Sequence, residues 1–354
     1  MLHEGVTPAF WKGRRVLLTG HTGFKGGWLA LWLDSMGADV SGLSLSPPTD
    51  PSFFQAAGVA ESITHTTGDL RDFEQVLSIV RDTQPEVVFH LGAQSLVRQS
   101  YTDPRTTFSS NVMGTVNLLE AIRETGSVKA LLVVTSDKCY ENREWLWPYR
   151  ENEPMGGKDP YSASKGCVEL LTAAWRDSFL HPHTSVATAR AGNVIGGGDW
   201  GIDRLVPDAL KAWQNNKILT IRSPKAVRPW QYHLDALAGY LTLASELING
   251  KHIGAWNFGP TDTGMLSVEN LLRRLAAAWG EDAKWETLTS QQPHEAMQLL
   301  LDSRKARTLL GWKNVLDVEH SVSAIVAWHQ AWRSGENMRE FSLEQIKQYL
   351  GNLE

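Results

Sequence analysis

Over 354 residues the chain holds only two cysteines, carries no excess of positive charge and contains no long apolar run. Cys139 and Cys167 are too few for a disulfide framework or a cysteine-rich zinc site, and they fit a reducing compartment. With a formal charge of -5 and a pI near 6.1 there is no basic face to displace counterions from a polyanion, so no nucleic-acid partner is expected. Any anionic ligand must be held by local cations. No apolar stretch approaches the roughly 18 residues that cross a bilayer. The opening "MLHEGVTPAF" is neither basic nor apolar enough for a leader. A cytoplasmic protein without a membrane partner is therefore expected. His90 falls at a strand end, but no second histidine follows at ligand spacing, so no metal is expected.

What is present is ordinary in bulk and specific in detail. Hydrophobic residues make up 42% and charged residues 21%, the composition of a folded enzyme with a sizeable core. Short β-branched runs ("RRVLLTG", "ADVSGLSL", "SITHTTGD", "EVVFHLGA", "KALLVVTS", "TSVATARAGN") alternate with amphipathic stretches. That rhythm predicts an α/β fold of parallel βαβ units, with ligands at the C-terminal strand edge. Past residue 190 the alternation lapses into loops rich in Gly and Trp. The expected division is residues 1–190 and 191–354, with 229–260 partly returning to the first unit through "AWNFGP". Trp28 and Trp32, four apart, are read as core packing.

Gly20-x-x-Gly23-x-x-Gly26 follows the first strand and opens a helix. Glycine there permits a sharp turn and close approach of a pyrophosphate, and the helix N-terminus supplies unpaired N–H groups. The second strand ends "SGLSLSPP" with neither an acid for a ribose nor a base for a 2′-phosphate, which modestly favours NAD over NADP. Asp69 either accepts from an adenine amino group or caps the next helix.

Tyr161 and Lys165 lie one helical turn apart on one face. An ammonium and a nicotinamide charge beside the phenol would lower its pKa toward use as a base. In "TSDKCY" the strand end sets Ser136, Asp137 and Lys138 side by side.

These motifs, with "HLGAQSLVRQSY", "NVMGTVNLLEA", "RAGNVIGGGDW", "VRPWQYHLD" and "PHEAMQLLLDSRKARTLLGW", resemble the extended short-chain dehydrogenase/reductase family over almost the whole chain. Within it they are similar to sugar-nucleotide dehydratases of the CDP-glucose branch. The resemblance implies a Rossmann-type doubly wound parallel sheet with a smaller, mixed α/β C-terminal substrate-binding domain. It implies NAD held by Gly20, Thr22, Gly23, Phe24, Lys25, Gly26, Asp69, Leu70, Leu91, Ala93, Tyr161 and Lys165. It further implies CDP-glucose as substrate, contacted by Asn111, Asn193, Arg204, Arg228 and His294. Ser136, Asp137, Lys138, Tyr161 and Lys165 become the catalytic set: Tyr161 the base for the 4-hydroxyl, Asp137 the acid for the leaving 6-hydroxyl, Lys138 either the C5 base or an electrostatic stabiliser. Dehydratases of the dTDP-glucose type carry Asp-Glu where this chain has Asp137-Lys138. A homodimer or tetramer and a place in deoxysugar synthesis for lipopolysaccharide O-antigen are implied as well. A sugar-nucleotide epimerase, or a dehydratase acting on another nucleotide sugar, is the alternative enzyme; a non-catalytic NAD-binding regulator is the third reading.

Overall fold

A computed structural model of the protein describes residues 3–261, 264–280, 282–288 and 298–353. Strands β1 (Arg15–Thr19), β2 (Asp39–Ser44), β3 (Thr64–Thr67), β4 (Val87–His90), β5 (Ala130–Val134) and β6 (Ser185–Ala191) arise where β-branched runs were read. A short β7 (Asn193–Ile195) follows, then β8 (Leu219–Ile221), β9 (Val227–Tyr232), β10 (Gly254–Phe258), β11 (Met265–Ser267) and β12 (Trp285–Thr287). Seven of them form one sheet in the order β10-β6-β5-β4-β1-β2-β3. Every pair in it is parallel. Helices cover both faces, because central strands such as β4 and β5 are buried along their full length and need apolar partners on both sides.

The helix Phe24–Ser35 has eight buried residues, from Gly26 to Leu33, rather than a single apolar stripe. A helix apolar all round must be covered all round. Trp28 stacks on Phe53 with ring centroids 4.6 Å apart, and its indole N–H donates to Gly197 O at 2.9 Å. Trp32 meets Tyr349 edge to face at 5.8 Å. One core cluster thus runs from Val6 to Tyr349, and a second, from Leu17 to Val186, fills the other face of the sheet.

Beyond β6 a three-stranded sheet, β11-β9-β7, lies over the C-terminal edge. β9 runs parallel to β7 with Trp230 opposite Asn193, which brings the Arg228 strand beside the loop that follows β6. Among the described residues no helix is long and apolar enough to cross a membrane. No group of three or more metal-ligating acids, histidines or cysteines occurs there either. Both cysteines are free, Cys139 buried and Cys167 exposed.

Candidate active site

β1 lies where the strand order reverses, with β2 on one side and β4 on the other. The loops leaving β1 and β4 diverge at that point and open a crevice. Gly20 turns at φ +79, and its N–H donates to Leu43 O at 3.0 Å. A Cβ at Gly26 would lie 2.1 Å from Gly20 O, so helix and turn pack backbone to backbone. Gly23 is different: its Cβ would meet only Gly20 O, at 3.4 Å. The protein itself tolerates a side chain there, so the space that glycine keeps open belongs to something outside the chain. Gly23 is also the N-cap of the 12-residue helix and caps it with no side chain, leaving the first N–H groups to an external acceptor. These features fit the diphosphate of a dinucleotide.

The other residues expected to hold the cofactor are placed around this turn and the β4 loop. Thr22 Oγ1 donates to Leu45 O at 2.9 Å and shares a hydrogen bond with Ser44 Oγ at 2.9 Å, which closes the turn against the end of β2. Leu91 N–H reaches Thr19 O at 3.1 Å, leading the β4 loop past Gly92 to half-buried Ala93. Leu70 packs so closely on Gly92 that a Cβ there would lie 2.6 Å from its Cδ1. Phe24 rests 5.5 Å from the His233 ring. Lys25 is pushed down to about 8 by burial and by the Lys165 and Arg204 charges. Asp69 does not cap the next helix; Asp72 does, accepting from Gln75 N–H at 3.1 Å. The Asp69 carboxylate is instead paired with Arg71, which holds it below the usual carboxylate range.

The residues expected to react converge from two elements. Past β5 the chain turns through Ser136, whose hydroxyl donates to Asp137 Oδ1 at 3.0 Å and accepts from Lys138 N–H at 3.2 Å. Asp137 is 2% exposed, and its Oδ2 has no partner among the described residues. Burial raises its carboxyl pKa, against the opposing pull of Lys138, Ser136 and Arg228. Lys138 is half-buried beside it. The helix Pro160–Trp175 begins with proline at its first position and is capped by Asp159, which accepts from Ser162 N–H at 2.9 Å. Tyr161 and Lys165 emerge from its first turns and are both buried.

The expected lowering of the phenol is not a property of the protein by itself. Burial dominates and pushes Tyr161 up to about 12, although the Ser136 side chain and the Arg204 charge pull the other way. Lys165 is pushed down to about 8 by burial, and its ammonium donates to Val134 O at 3.2 Å. Low dielectric disfavours both charged forms, phenolate and ammonium alike.

The remaining expected residues separate. Asn193 starts β7 and is half-buried, and Arg228 on β9 is close enough to influence Asp137. Arg204 is held by Asp199 at 2.9 Å and by Ser95 at 3.2 Å, two partners that the sequence reading missed. Asn111 spends its amide inside the protein, accepting from Gln94 N–H (2.7 Å) and donating to Gln94 O (3.0 Å) and Ser164 Oγ (2.9 Å). It lies in a π-helical turn, Ser109–Met113, and braces the β4 loop against the Tyr161 helix. His294 lies outside the described residues.

A seven-stranded parallel sheet with a glycine turn at its switch point and a Tyr161–Lys165 pair at its edge defines an extended short-chain dehydrogenase/reductase. The chain belongs to the family described as GDP-mannose 4,6 dehydratase, which matches residues 17–325. It is 48% identical to a CDP-glucose 4,6-dehydratase of Salmonella typhimurium, covering 98% of each chain. It is 26% identical to a dTDP-glucose 4,6-dehydratase of Xanthomonas campestris pv. campestris, covering 93% of this chain and 98% of that one. A UDP-glucose-4-epimerase structure from Stenotrophomonas maltophila, with bound NAD and formylated UDP-arabinopyranose, superposes with a TM-score of 0.80 at 21% identity, over 91% of this chain and 99% of that one. A dTDP-glucose 4,6-dehydratase from Bacillus anthracis, in complex with NAD, gives 0.77 at 18% identity, over 92% and 99%. At those identities the structures establish the fold.

Proposed function

We propose that the chain is an NAD-dependent CDP-glucose 4,6-dehydratase, converting CDP-D-glucose to CDP-4-keto-6-deoxy-D-glucose and water. The observation that carries the reaction type is Asp137: a buried carboxyl with a raised pKa and one unpartnered oxygen, its other oxygen accepting from the Ser136 hydroxyl. Burial makes the proton-carrying form of a carboxyl easier to reach than it is in water, which suits a proton donor, and dehydration needs one whereas 4-epimerisation does not. The substrate assignment is supported by the 48% identity over nearly the whole of both chains.

The glycine turn, Leu70, Leu91 and Ala93 would hold NAD, which supplies a two-electron acceptor that later becomes the donor, together with a ring charge that lowers the phenol. Tyr161, assisted by the Ser136 hydroxyl and the Lys165 ammonium, takes the proton of the 4-hydroxyl as that carbon is oxidised. The resulting ketone acidifies the adjacent C5–H. Asp137 delivers its proton to the 6-hydroxyl, which leaves as water with the loss of the C5 proton. Lys138, beside Asp137, either accepts that proton or stabilises the enolate. The two electrons return to C6, and a proton to C5, giving the methyl group. Arg204 and Arg228 would hold the diphosphate, with Asn193 on the sugar side. Asn111 acts by bracing rather than by contact.

A homodimer, or a tetramer built from it, is supported by exposed Phe108, Met113, Leu170 and Phe179 on or beside the helices Pro104–Phe108 and Pro160–Trp175. A cytoplasmic location and a role in O-antigen deoxysugar synthesis complete the proposal. Residues 191–354 would supply most of the sugar-nucleotide contacts. Incubation with CDP-glucose, dTDP-glucose and GDP-mannose, followed by product masses, tests it. Loss of one water from CDP-glucose, with a hydrogen isotope carried from C4 to C6, is expected. An isomer of unchanged mass would instead establish an epimerase.

A further inference from the structure

Behind the reacting groups lies a carboxylate that the steps above leave without a role. Glu169 sits one turn beyond Lys165 on the same helix face and is 5% exposed. Its Oε1 accepts from Thr135 Oγ1 at 2.5 Å and from Arg190 Nε at 2.9 Å. Its Oε2 accepts from Thr188 Oγ1 at 2.7 Å and from Arg190 Nη2 at 2.7 Å. Thr135 immediately precedes Ser136, Asp137 and Lys138. Thr188 and Arg190 belong to β6, which leads into Asn193. Glu169 itself shares a helix with Tyr161 and Lys165. One carboxylate therefore ties together the three elements that carry the site.

A buried ion pair is weak evidence for stability alone, since desolvation offsets the attraction and well-packed apolar side chains can serve as well. Apolar groups could not, however, set a negative charge one turn from the Lys165 ammonium. The charged and titratable groups around that ammonium are Glu169 and Tyr161 on its own helix, Arg190 on β6 paired with Glu169, Cys139 after β5, Lys25 on the glycine-turn helix and His90 at the end of β4. Lys25 repels it and burial disfavours its charge; Glu169 is the foremost influence in the other direction.

We propose that Glu169 is a positioning residue: its single carboxylate fixes the Thr135–Lys138 strand end against the helix of Tyr161 and Lys165, and sets a negative charge one helical turn from the Lys165 side chain. For its rate measurements this rests on the dehydratase reading; for its labelling measurement it does not.

The test compares Glu169→Gln and Thr135→Val with the parent protein. Trace acetic anhydride labels amines only in their neutral form, so the pH of half-labelling at Lys165, read from its peptide by mass spectrometry, reports that residue without substrate. Glu169→Gln should lower it by about one pH unit, and Thr135→Val should leave it in place. With CDP-glucose, Glu169→Gln should bring the alkaline limb of kcat/KM down in parallel. Thr135→Val should lower kcat by about tenfold with KM within about twofold, because the strand end is released while binding groups stay put. If both variants lose only thermal stability, with labelling pH and kcat unchanged, the network is a packing staple and the proposal is overturned. Should Glu169→Gln fail to fold, Thr135→Val decides alone, and an unchanged kcat overturns the proposal. Absence of CDP-glucose turnover in the parent would sink the dehydratase reading, while the labelling would still decide the role of Glu169.

Discussion

Gly23 and Gly26 sit three residues apart in one turn, and alanine at each should fail for a different reason. At Gly26 the new methyl would lie 2.1 Å from Gly20 O, 2.7 Å from Gly20 C and 2.8 Å from the His21 Cα. All three are backbone atoms that cannot rotate away, so the helix must shift by about an ångström relative to the turn. Overpacking of that kind costs about 1–3 kcal/mol, or several degrees in Tm at roughly 2–4 °C per kcal/mol in chains of 150–250 residues and less in a longer one. At Gly23 the methyl would approach only Gly20 O, at 3.4 Å, and its φ of -80 suits alanine. Stability there should change by less than about 1 kcal/mol, the N-cap preference of glycine over alanine. The methyl would, however, occupy the space assigned to the pyrophosphate. NAD affinity should fall at least about tenfold, or roughly 1.4 kcal/mol. Thermal melts and NAD titrations followed by tryptophan fluorescence separate the two effects. An unchanged Kd in Gly23→Ala would refute the pyrophosphate seat, and an unchanged Tm in Gly26→Ala would refute the backbone clash.

Lys138→Met should leave oxidation at C4 detectable as reduced-nicotinamide fluorescence in a single turnover while suppressing loss of water; normal dehydration would remove Lys138 from the mechanism. With Tyr161 held near 12 in the protein alone, ultraviolet titration should find no phenolate from it at neutral pH. NAD should bring one phenolate to lower pH, and Tyr161→Phe should abolish that signal; an NAD-independent titration would contradict the assigned role of the ring charge. His90, neutral between Thr19 at 2.7 Å and Thr115 at 2.9 Å, is pushed down from 6.5 to about 3 by burial and the Lys165 charge. The unfolded chain takes up that proton below pH 6.5 and the folded one does not until about 3, so the stability His90 contributes is complete above pH 6.5 and lost as pH falls. Urea unfolding of His90→Gln should therefore close on the parent by about 2 kcal/mol between pH 7 and 5; a constant gap would mean that His90 takes up its proton at the same pH folded and unfolded.

The parts of the molecule legible in advance were those written in short-range pattern. Alternation of β-branched and amphipathic runs announced the six strands β1 to β6. The 256 region announced β10. Three glycines at fixed spacing after a strand marked the turn that opens the first long helix, and a four-residue interval placed Tyr161 and Lys165 on one face. Each follows from the period of a helix or the reach of a turn, and needs no knowledge of distant residues. The same rule would have put Glu169 on that face, one interval further on. Nothing local, though, distinguishes it from a solvated glutamate, because its four donors come from Thr135, Thr188 and Arg190.

What the tertiary structure alone decided depends on who is buried beside whom. Asp69 turned to Arg71 and left the cap to Asp72. Asn111 turned to Gln94 and Ser164, and Arg204 to Asp199 and Ser95. In the protein alone, burial pushes the Tyr161 phenol up. In a chain, chemical identity and spacing are properties of neighbours, so sequence carries them. Protonation state and partner choice are set by dielectric and by contacts between residues tens to hundreds of positions apart, and these exist only once the two cores have closed.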